Sequence, residues 1–449
     1  MRTVFSLRCT IWLAVALVSG CTTYHPKPLP STPDLAGPPA VTMPVSRLDV
    51  PGLEPHPLDP TNGLDETTVA TLAVINNPEL KAARLQAGVA NAQALEAGLL
   101  PDPVVSGGLS RSTLHSGYGI GLSEDIQALI TRGAAKAAAK AHEREVNLQI
   151  LWQEWQVTEK ARELFSQMHA SAQLQLVLRT NRELLAERCR QDQAALKGNN
   201  LTASIVSADY AALADANTQL RQLEIEINNT RHALNLLLGL KPEVDLRLAA
   251  PNETRLLSSE QFRAAVDALP HRRADLLALR AGYESQEQQL RQAVLAQFPS
   301  MSAGVQQARD AVEGVNTVGL SVNVTLPLFN RNRGQIAIQK ATRAGLYQTY
   351  QARINQAVSE ADQLWQATRI MAGQLSAMEA RLPALEKAEA GAERILEEGN
   401  LTLETYVTLK SSFLSEQSNA IRLRASLEQA QSALQTVLGL PLDPAPARD

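Results

Sequence analysis

The chain has 449 residues, with 42 Lys and Arg against 46 Asp and Glu, and a formal net charge of -4, so it offers no basic footprint for nucleic acid. Beyond the first twenty residues no run of eighteen apolar residues occurs, which excludes a membrane-spanning helix. The histidines are scattered, without a His-Glu-x-x-His pattern or paired metal spacing, and nothing in the sequence calls for a cofactor or a metal ion.

Residues 1–20 read as a signal peptide, because Arg2 and Arg8 precede an apolar run from Ile11 to Val18 that is too short to span a bilayer. The run ends in Leu17-Val-Ser-Gly-Cys21. This resembles a bacterial lipobox, in which cleavage leaves an N-terminal cysteine that is acylated, with palmitate among the acyl chains. The alternative is an ordinary signal peptide with an incidental cysteine. Thr22 stands where an Asp would resemble an inner-membrane retention signal, so the address resembles that of the outer membrane. Cys9 leaves with the signal and Cys21 carries lipid, which leaves Cys189 alone and rules out a disulfide framework within one chain. Residues 21–63 form the lipidated cysteine and a tether: eleven prolines fall between Thr22 and Pro60, each removing a backbone donor and fixing its own φ, so neither helix nor sheet persists.

The body that follows is an internal duplication: a first repeat over 64–240, a connector over 241–270, a second repeat over 271–440, and a tail over 441–449. Asn77-Pro-Glu-Leu80 opens a helix over 79–100, and Arg273-Ala-Asp-Leu276 opens its counterpart over 275–298. A strand pair follows each helix, 103–111 with 117–125 and 300–308 with 317–327. The clearest strand puts Val318, Leu320, Val322, Val324 and Leu326 on one face and Gly319, Ser321, Asn323 and Thr325 on the other, the period of a β-strand. Tyr118, Ile120 and Leu122 alternate in the same way with Gly117, Gly119, Gly121 and Ser123. Such a strand fits either a soluble sheet on a core or a barrel strand with a lipid side and a lumen side.

Long helices are predicted over 133–197 and 334–398, then glycine turns at Gly198-Asn-Asn-Leu-Thr202 and Gly399-Asn-Leu-Thr402, then returning helices over 202–238 and 402–438 that both end in Leu-Gly-Leu. At roughly 1.5 Å per residue each long helix reaches about 100 Å, and only two shorter helices placed end to end match it. Leu409, Phe413, Glu416, Ala420, Leu423, Leu427, Ala430, Leu434 and Val437 recur four and three apart, the repeat of a left-handed coiled coil. Pro383, between Gly373 and Gly391, predicts a kink or break in the second long helix. The connector, with Pro242, Pro251 and Pro270 and one short helix after Ser258-Ser259, is expected at mid-height where the stacked helices meet.

The fold class is therefore mainly α with a small β part. Four strands cannot close a membrane barrel, which needs about eight, and lipid tolerates no open edge. Several chains must contribute: a dimer supplies eight strands and a trimer twelve, and the strand pattern does not choose between them. The doubled order of helix, hairpin, long helix, glycine turn and return helix resembles the TolC family of outer-membrane efflux proteins. Asn77-Pro-Glu-Leu80, Leu326-Pro-Leu-Phe-Asn330 and the Leu-Gly-Leu endings at 238–240 and 438–440 belong to the same likeness. The resemblance implies a lipid-anchored homotrimer with a twelve-stranded outer-membrane barrel on a long periplasmic helical tunnel. Its partners would be a periplasmic adaptor, or membrane fusion protein, and an inner-membrane transporter of the proton-driven RND type. It also implies that Tyr118, Ile120, Leu122, Val318, Leu320, Val322 and Val324 face lipid.

Many members of that family carry aspartates just beyond the second turn, guarding the tunnel's narrow end; the matching positions here are Thr405 and Thr408, with Glu404 the nearest acid. Glu404 is the candidate for an acidic ring that attracts cations, or else a helix-start glutamate favoured by the macrodipole. The turns themselves, Gly198, Asn199, Leu201 and Thr202 with Gly399, Asn400, Leu401 and Thr402, are the candidate adaptor-docking tips. Gly198 and Gly399 are expected to permit the reversal, and Leu201 and Leu401 to be exposed contacts. The competing reading is a periplasmic adaptor lipoprotein, which needs one helical hairpin flanked by compact β-rich domains. An enzyme is excluded by the lack of a nucleophile elbow, phosphate loop or metal motif. The passage through Asn330-Arg-Asn-Arg-Gly334 resembles members paired with heavy-metal exporters more than those paired with drug exporters.

Overall fold

A computed structural model describes residues 24–37, 63–111, 116–251, 256–310 and 314–441; the signal segment, Cys21, most of the tether and residues 442–449 lie outside the described residues. The chain divides into two compact units, Met1–Leu35 and Ala36–Asp449. In the first, residues 24–35 carry no helix or strand and are exposed at every position but half-buried Leu35. The rest concerns the second unit.

Its first helix, α1 (Glu66–Asn76), is capped by Asp65, whose carboxylate accepts from the Thr68 amide at 2.7 Å. It hands over at Asn77, which caps α2 (Pro78–Glu96) by accepting from Leu80 N at 2.9 Å. The strands are β1 (Val104–Arg111) and β2 (Ser116–Asp125), then, in the second repeat, β3 (Ser300–Asp310) and β4 (Asn316–Thr325). The first long helix, α3 (Ile126–Lys197), has 72 residues and the second, α7 (Arg333–Glu397), has 65. The returning helices are α4 (Ala203–Leu237) and α8 (Leu403–Leu438), and α5 (Ser259–Arg272) and α6 (Ala274–Leu295) open the second repeat.

Three expectations about helices change. α1 was not anticipated from the sequence. α3 begins seven residues before Gly133, directly off β2, because Asp125 ends the strand and caps the helix by accepting from Ala128 N at 3.1 Å. Gly133 sits inside it. Pro383 does not break α7, which runs without interruption through it.

End-to-end stacking is observed in both repeats. The Asn77 side-chain amide donates to Leu237 O at the end of α4 (3.3 Å), and Arg273 donates to Val437 O at the end of α8 (3.4 Å). Both returning helices close on a left-handed glycine, Gly239 at φ 65° and Gly439 at φ 64°, with Leu240 N and Leu440 N bonded back to Asn235 O and Gln435 O. The largest apolar clusters sit at these joints: Leu80, Trp155, Phe165, Leu234 and Leu238 in the first, and Phe262, Leu276, Leu434 and Leu438 in the second. There Phe262 stacks on Trp365 with ring centroids 4.5 Å apart. The connector lies against the first joint, with Leu64 N bonded to Arg247 O (2.7 Å) and Val244 buried in its cluster.

The columns follow one order. α3 packs against α2 and α4 and also against α6 and α8, and α7 packs against α6 and α8. The four strands form one antiparallel sheet in the order β1-β2-β3-β4, so each strand lies in the same sequence as the column it joins. That leaves two open sides, β1 with α2 and α4 at one edge and β4 with α7 at the other.

Candidate functional site

Two regions hold the candidate site residues: the sheet and the two turns. In the sheet, pairing of Val105 with Leu122, Leu122 with Val305, and Val305 with Leu320 puts these residues on one face. Tyr118, Ile120, Val318, Val322 and Val324 share it. All are exposed, from 42% at Tyr118 to 85% at Leu320, so the apolar side has no partner among the described residues. The opposite face holds Gly117, Gly119, Gly121, Ser123, Ser302, Gly304, Gly319 and Ser321, each half-buried. It is also crowded. A Cβ on Gly304 would lie 2.5 Å from Leu122 O, and one on Gly121 would lie 2.7 Å from Ser106 Oγ. Crowding on the small-residue face and exposure on the apolar face describe a sheet that curls with its apolar side outward.

At the other end of the long helices, the chain reverses by two left-handed turns. Gly399 takes φ 75°, and its amide and that of Asn400 bond back to Leu396 O and Ile395 O. In the first turn the same geometry belongs to Asn199, at φ 56°, whereas Gly198 has an ordinary φ of -82°. The expectation that Gly198 permits the reversal is therefore corrected: asparagine tolerates the left-handed region and occupies the position equivalent to Gly399. Leu201 and Leu401 are half-buried rather than exposed. Leu401 packs on the cluster of Leu185, Ala216, Ala392, Tyr406 and Val407, so it closes the end of the core. Asn400 and Thr202 are exposed.

Just inside the turns, the hairpins meet through polar contacts. Glu404, with its side chain 67% exposed, lies 3.5 Å from Arg188 of α3. Thr402 caps α8 by accepting from Thr405 N at 3.3 Å; its hydroxyl also bonds that of Thr405, and the Thr408 hydroxyl donates to Glu404 O at 2.8 Å. Both gate-candidate threonines thus engage the start of α8. Arg188 makes its closest ion pair with Asp209 of α4, at 2.7 Å. Burial, then the neighbouring Asp192 carboxyl, pushes the Asp209 carboxyl up to about 6. Between α7 and α8, the Tyr406 hydroxyl donates to Glu389 at 3.2 Å and to Glu393 at 3.3 Å, and Lys410 pairs with Glu389. Burial raises the Tyr406 phenol above its ordinary value.

Sequence reasoning found Glu404 but missed Arg188, Asp192 and Asp209. A signal was present: Arg188 and Asp209 stand nearly equal numbers of residues before and after Asn199, and equal distances from a helical reversal face each other. Among the described residues, no three His, Cys, Asp or Glu side chains gather as metal ligands, and no helix is long and apolar enough to cross a membrane.

An outward-apolar sheet on a layer of very long helices, with two tight turns at the far end, is the fold of outer-membrane channels. The outer membrane protein VceC from Vibrio cholerae superposes with a TM-score of 0.69 at 17% identity, over 84% of this chain and 97% of that one. The CmeC outer membrane channel of Campylobacter jejuni gives 0.69 at 16% identity, over 89% and 94%. The MtrE outer membrane channel of Neisseria gonorrhoeae, in its open state, gives 0.65 at 16%, over 93% and 98%. At these identities the likeness is one of fold. Residues 265–440 match the family model described as outer membrane efflux protein, a likeness that agrees with the resemblance to the TolC family. Comparison with curated proteins gives no match.

Proposed function

We propose that this chain is the exit duct of a tripartite efflux system, a homotrimer in the outer membrane that carries small molecules or metal ions outward. The observation that carries this reading is the sheet. Its apolar face is exposed, its inner face is small and polar, and its two edge strands have no partner among the described residues, an arrangement stable in lipid only if neighbouring copies close the ring. Three copies supply the twelve strands expected from the resemblance. α7 at one open side and α2 with α4 at the other carry exposed Ile338, Tyr347, Ile370, Leu85, Tyr210 and Ile225, as faces awaiting a neighbour would.

In this reading Tyr118, Ile120, Leu122, Val318, Leu320, Val322 and Val324 face lipid, and the turns point into the periplasm to dock an adaptor that couples to an RND-type transporter. The duct has no catalytic role. Cys21, outside the described residues, carries the lipid anchor; mass spectrometry of the mature N-terminus tests this, and an unmodified cysteine refutes it. The adaptor alternative gains nothing from the fold, since all four described strands belong to one sheet. The purified protein should crosslink as a trimer and conduct in planar bilayers. A stable soluble monomer without conductance would refute the proposal.

A further inference from the structure

Just below the sheet, the end of α2 and the first turns of α3 leave a groove of about 330 Å³ between them. Leu95, Gly98 and Leu99 form one wall, and Lys136, Lys140 and Glu143 the other. Both lysines are exposed, and among the described residues neither is in an ion pair. Glu143, the acid in the groove, accepts instead from Asn91 Nδ2 at 3.0 Å. Gly98 leaves room for the first lysine, since a Cβ there would lie 3.5 Å from Lys136 Cε. Leu95 is 66% exposed and Leu99 60%, so two free cations stand opposite an apolar wall.

The groove opens on the outer side of the helical layer. Gln93 of α2 and Gln335 and Gln339 of α7, from the two edges of the layer, line one cleft with Ala135 and Ala139 of α3, so the layer is concave there. Lys136, Lys140, Arg144 and Asn147 follow at helical spacing on the side of α3 turned away from that cleft, and all are exposed. Because the strands keep the order of the columns they join, the apolar face of the sheet continues this convex side. Depth fits as well. Arg132 Nε donates to Leu99 O at 3.0 Å, level with the end of α2, and Lys136 and Lys140 lie one and two turns further from the sheet, about 6 and 12 Å along the axis. The polar layer of a bilayer leaflet is about 5 to 8 Å deep, so Lys136 stands within it and Lys140 reaches it along its four-carbon stem.

We propose that this groove holds an anionic phospholipid of the periplasmic leaflet, its phosphate between Lys136 and Lys140 and an acyl chain along Leu95 and Leu99 toward the sheet. Two ammonium groups without a carboxylate favour a head group that carries net negative charge over one neutralised by its own amine. A neighbouring copy does not fill the groove: in a closed ring its α7 meets the free edge of α2, whereas the groove lies between α2 and α3.

The placement in a membrane rests on the proposed function, but the choice of head group is measured apart from it. Native mass spectrometry of the full-length protein in detergent, with phosphatidylglycerol or phosphatidylcholine added, reads the choice. Phosphatidylglycerol should be retained preferentially. Replacing both lysines, Lys136→Gln with Lys140→Gln, should weaken its binding about thirty-fold, roughly five-fold for each lysine, without lowering trimer yield. Lys160→Gln, at an exposed lysine elsewhere on α3, should change nothing. Equal retention of the two lipids, wild-type retention by the double variant, loss of its trimers, or displacement of the lipid by an equal concentration of inorganic phosphate overturns the inference. A protein that keeps the preference but never conducts in bilayers upholds the lipid site and refutes the duct; a conducting trimer indifferent to the head group does the reverse.

Discussion

Val322→Arg and Asn323→Arg form the sharpest test of the sheet, because adjacent positions on a strand point to opposite faces. Val322 pairs with Ala303 on the exposed apolar face, and Asn323 pairs with Ser302 on the small-residue face, its amide 3.4 Å from the Ser302 hydroxyl. The apolar stripe of β4 runs from Val318 to Val324, so Val322 lies within one pleat of its centre. Arginine facing lipid near the bilayer midplane costs about 2 to 4 kcal/mol per chain, and three copies multiply that in the assembled ring. Val322→Arg should therefore lower the urea midpoint of barrel unfolding in vesicles and deplete trimers. Asn323→Arg should leave both unchanged and shift the ion selectivity of the open pore toward anions. If Asn323→Arg destabilised and Val322→Arg altered selectivity instead, the register would be wrong by one residue. If neither affected a vesicle-inserted protein, the apolar face would not be in lipid at all.

Gly304→Ala should prevent barrel assembly, since the new methyl would meet Leu122 O at 2.5 Å, whereas Gly108→Ala, with nothing within 4 Å, should assemble normally; trimer yield after refolding reads both. Arg273→Ala should cost about 3 kcal/mol in thermal unfolding of the helices, because its side chain is 1% exposed and its loss leaves Asp275 and Glu360 with Arg353 alone beside a void at Trp152. The exposed pair of Arg144 with Glu284 should yield less than about 1 kcal/mol when broken, and equal losses at the two sites would refute the buried network as the anchor of the joint. Asn199→Val should destabilise the first turn by about 1 to 2 kcal/mol and Asn199→Gly should not, seen as faster amide exchange over 195–203; no difference between them would refute the assignment of the reversal to Asn199.

The sheet was legible because its two faces differ in kind at every second residue, and Val318 to Thr325 could be assigned before any contact was known. α1 was not. Thr68 through Val74 are all buried, so this helix is enclosed on every side and presents no polar stripe against which a periodic apolar one stands out. The start of α3 was misplaced because Arg132-Gly133 reads as punctuation. In the fold the Arg132 guanidinium donates to Gly98 O and to Leu99 O (3.0 Å) at the end of α2, and a Cβ on Gly133 would meet nothing within 4 Å. The seam of α8 was half read. Ala420, Leu427 and Leu434 lie on the predicted stripe, but Val407, Leu414 and Ile421 form a second one, seven residues apart and equally buried. The first includes the contact with Leu375 of α7, and the second meets Leu174, Val177 and Leu178 of α3. A helix between two neighbours carries two seams, and a search for one period finds one of them.

The duplication shows where the two halves were free to part. Asn199 and Gly399 hold equivalent places in the two turns, as do Leu201 and Leu401, and Thr202 and Thr402; here backbone geometry permits few substitutes and the repeats agree. A few residues inward the agreement ends. Cys189 of the first half corresponds to Glu389 of the second, Asp209 to Leu409 and Val206 to Tyr406. Arg188 and two aspartates consequently fill the first hairpin's node, while Glu389, Tyr406 and Lys410 join the second hairpin internally. Two hairpins with the same backbone but different polar interiors respond differently to charge. The contact of Arg188 with Glu404, 3.5 Å apart, joins these two unlike interiors beside the turns.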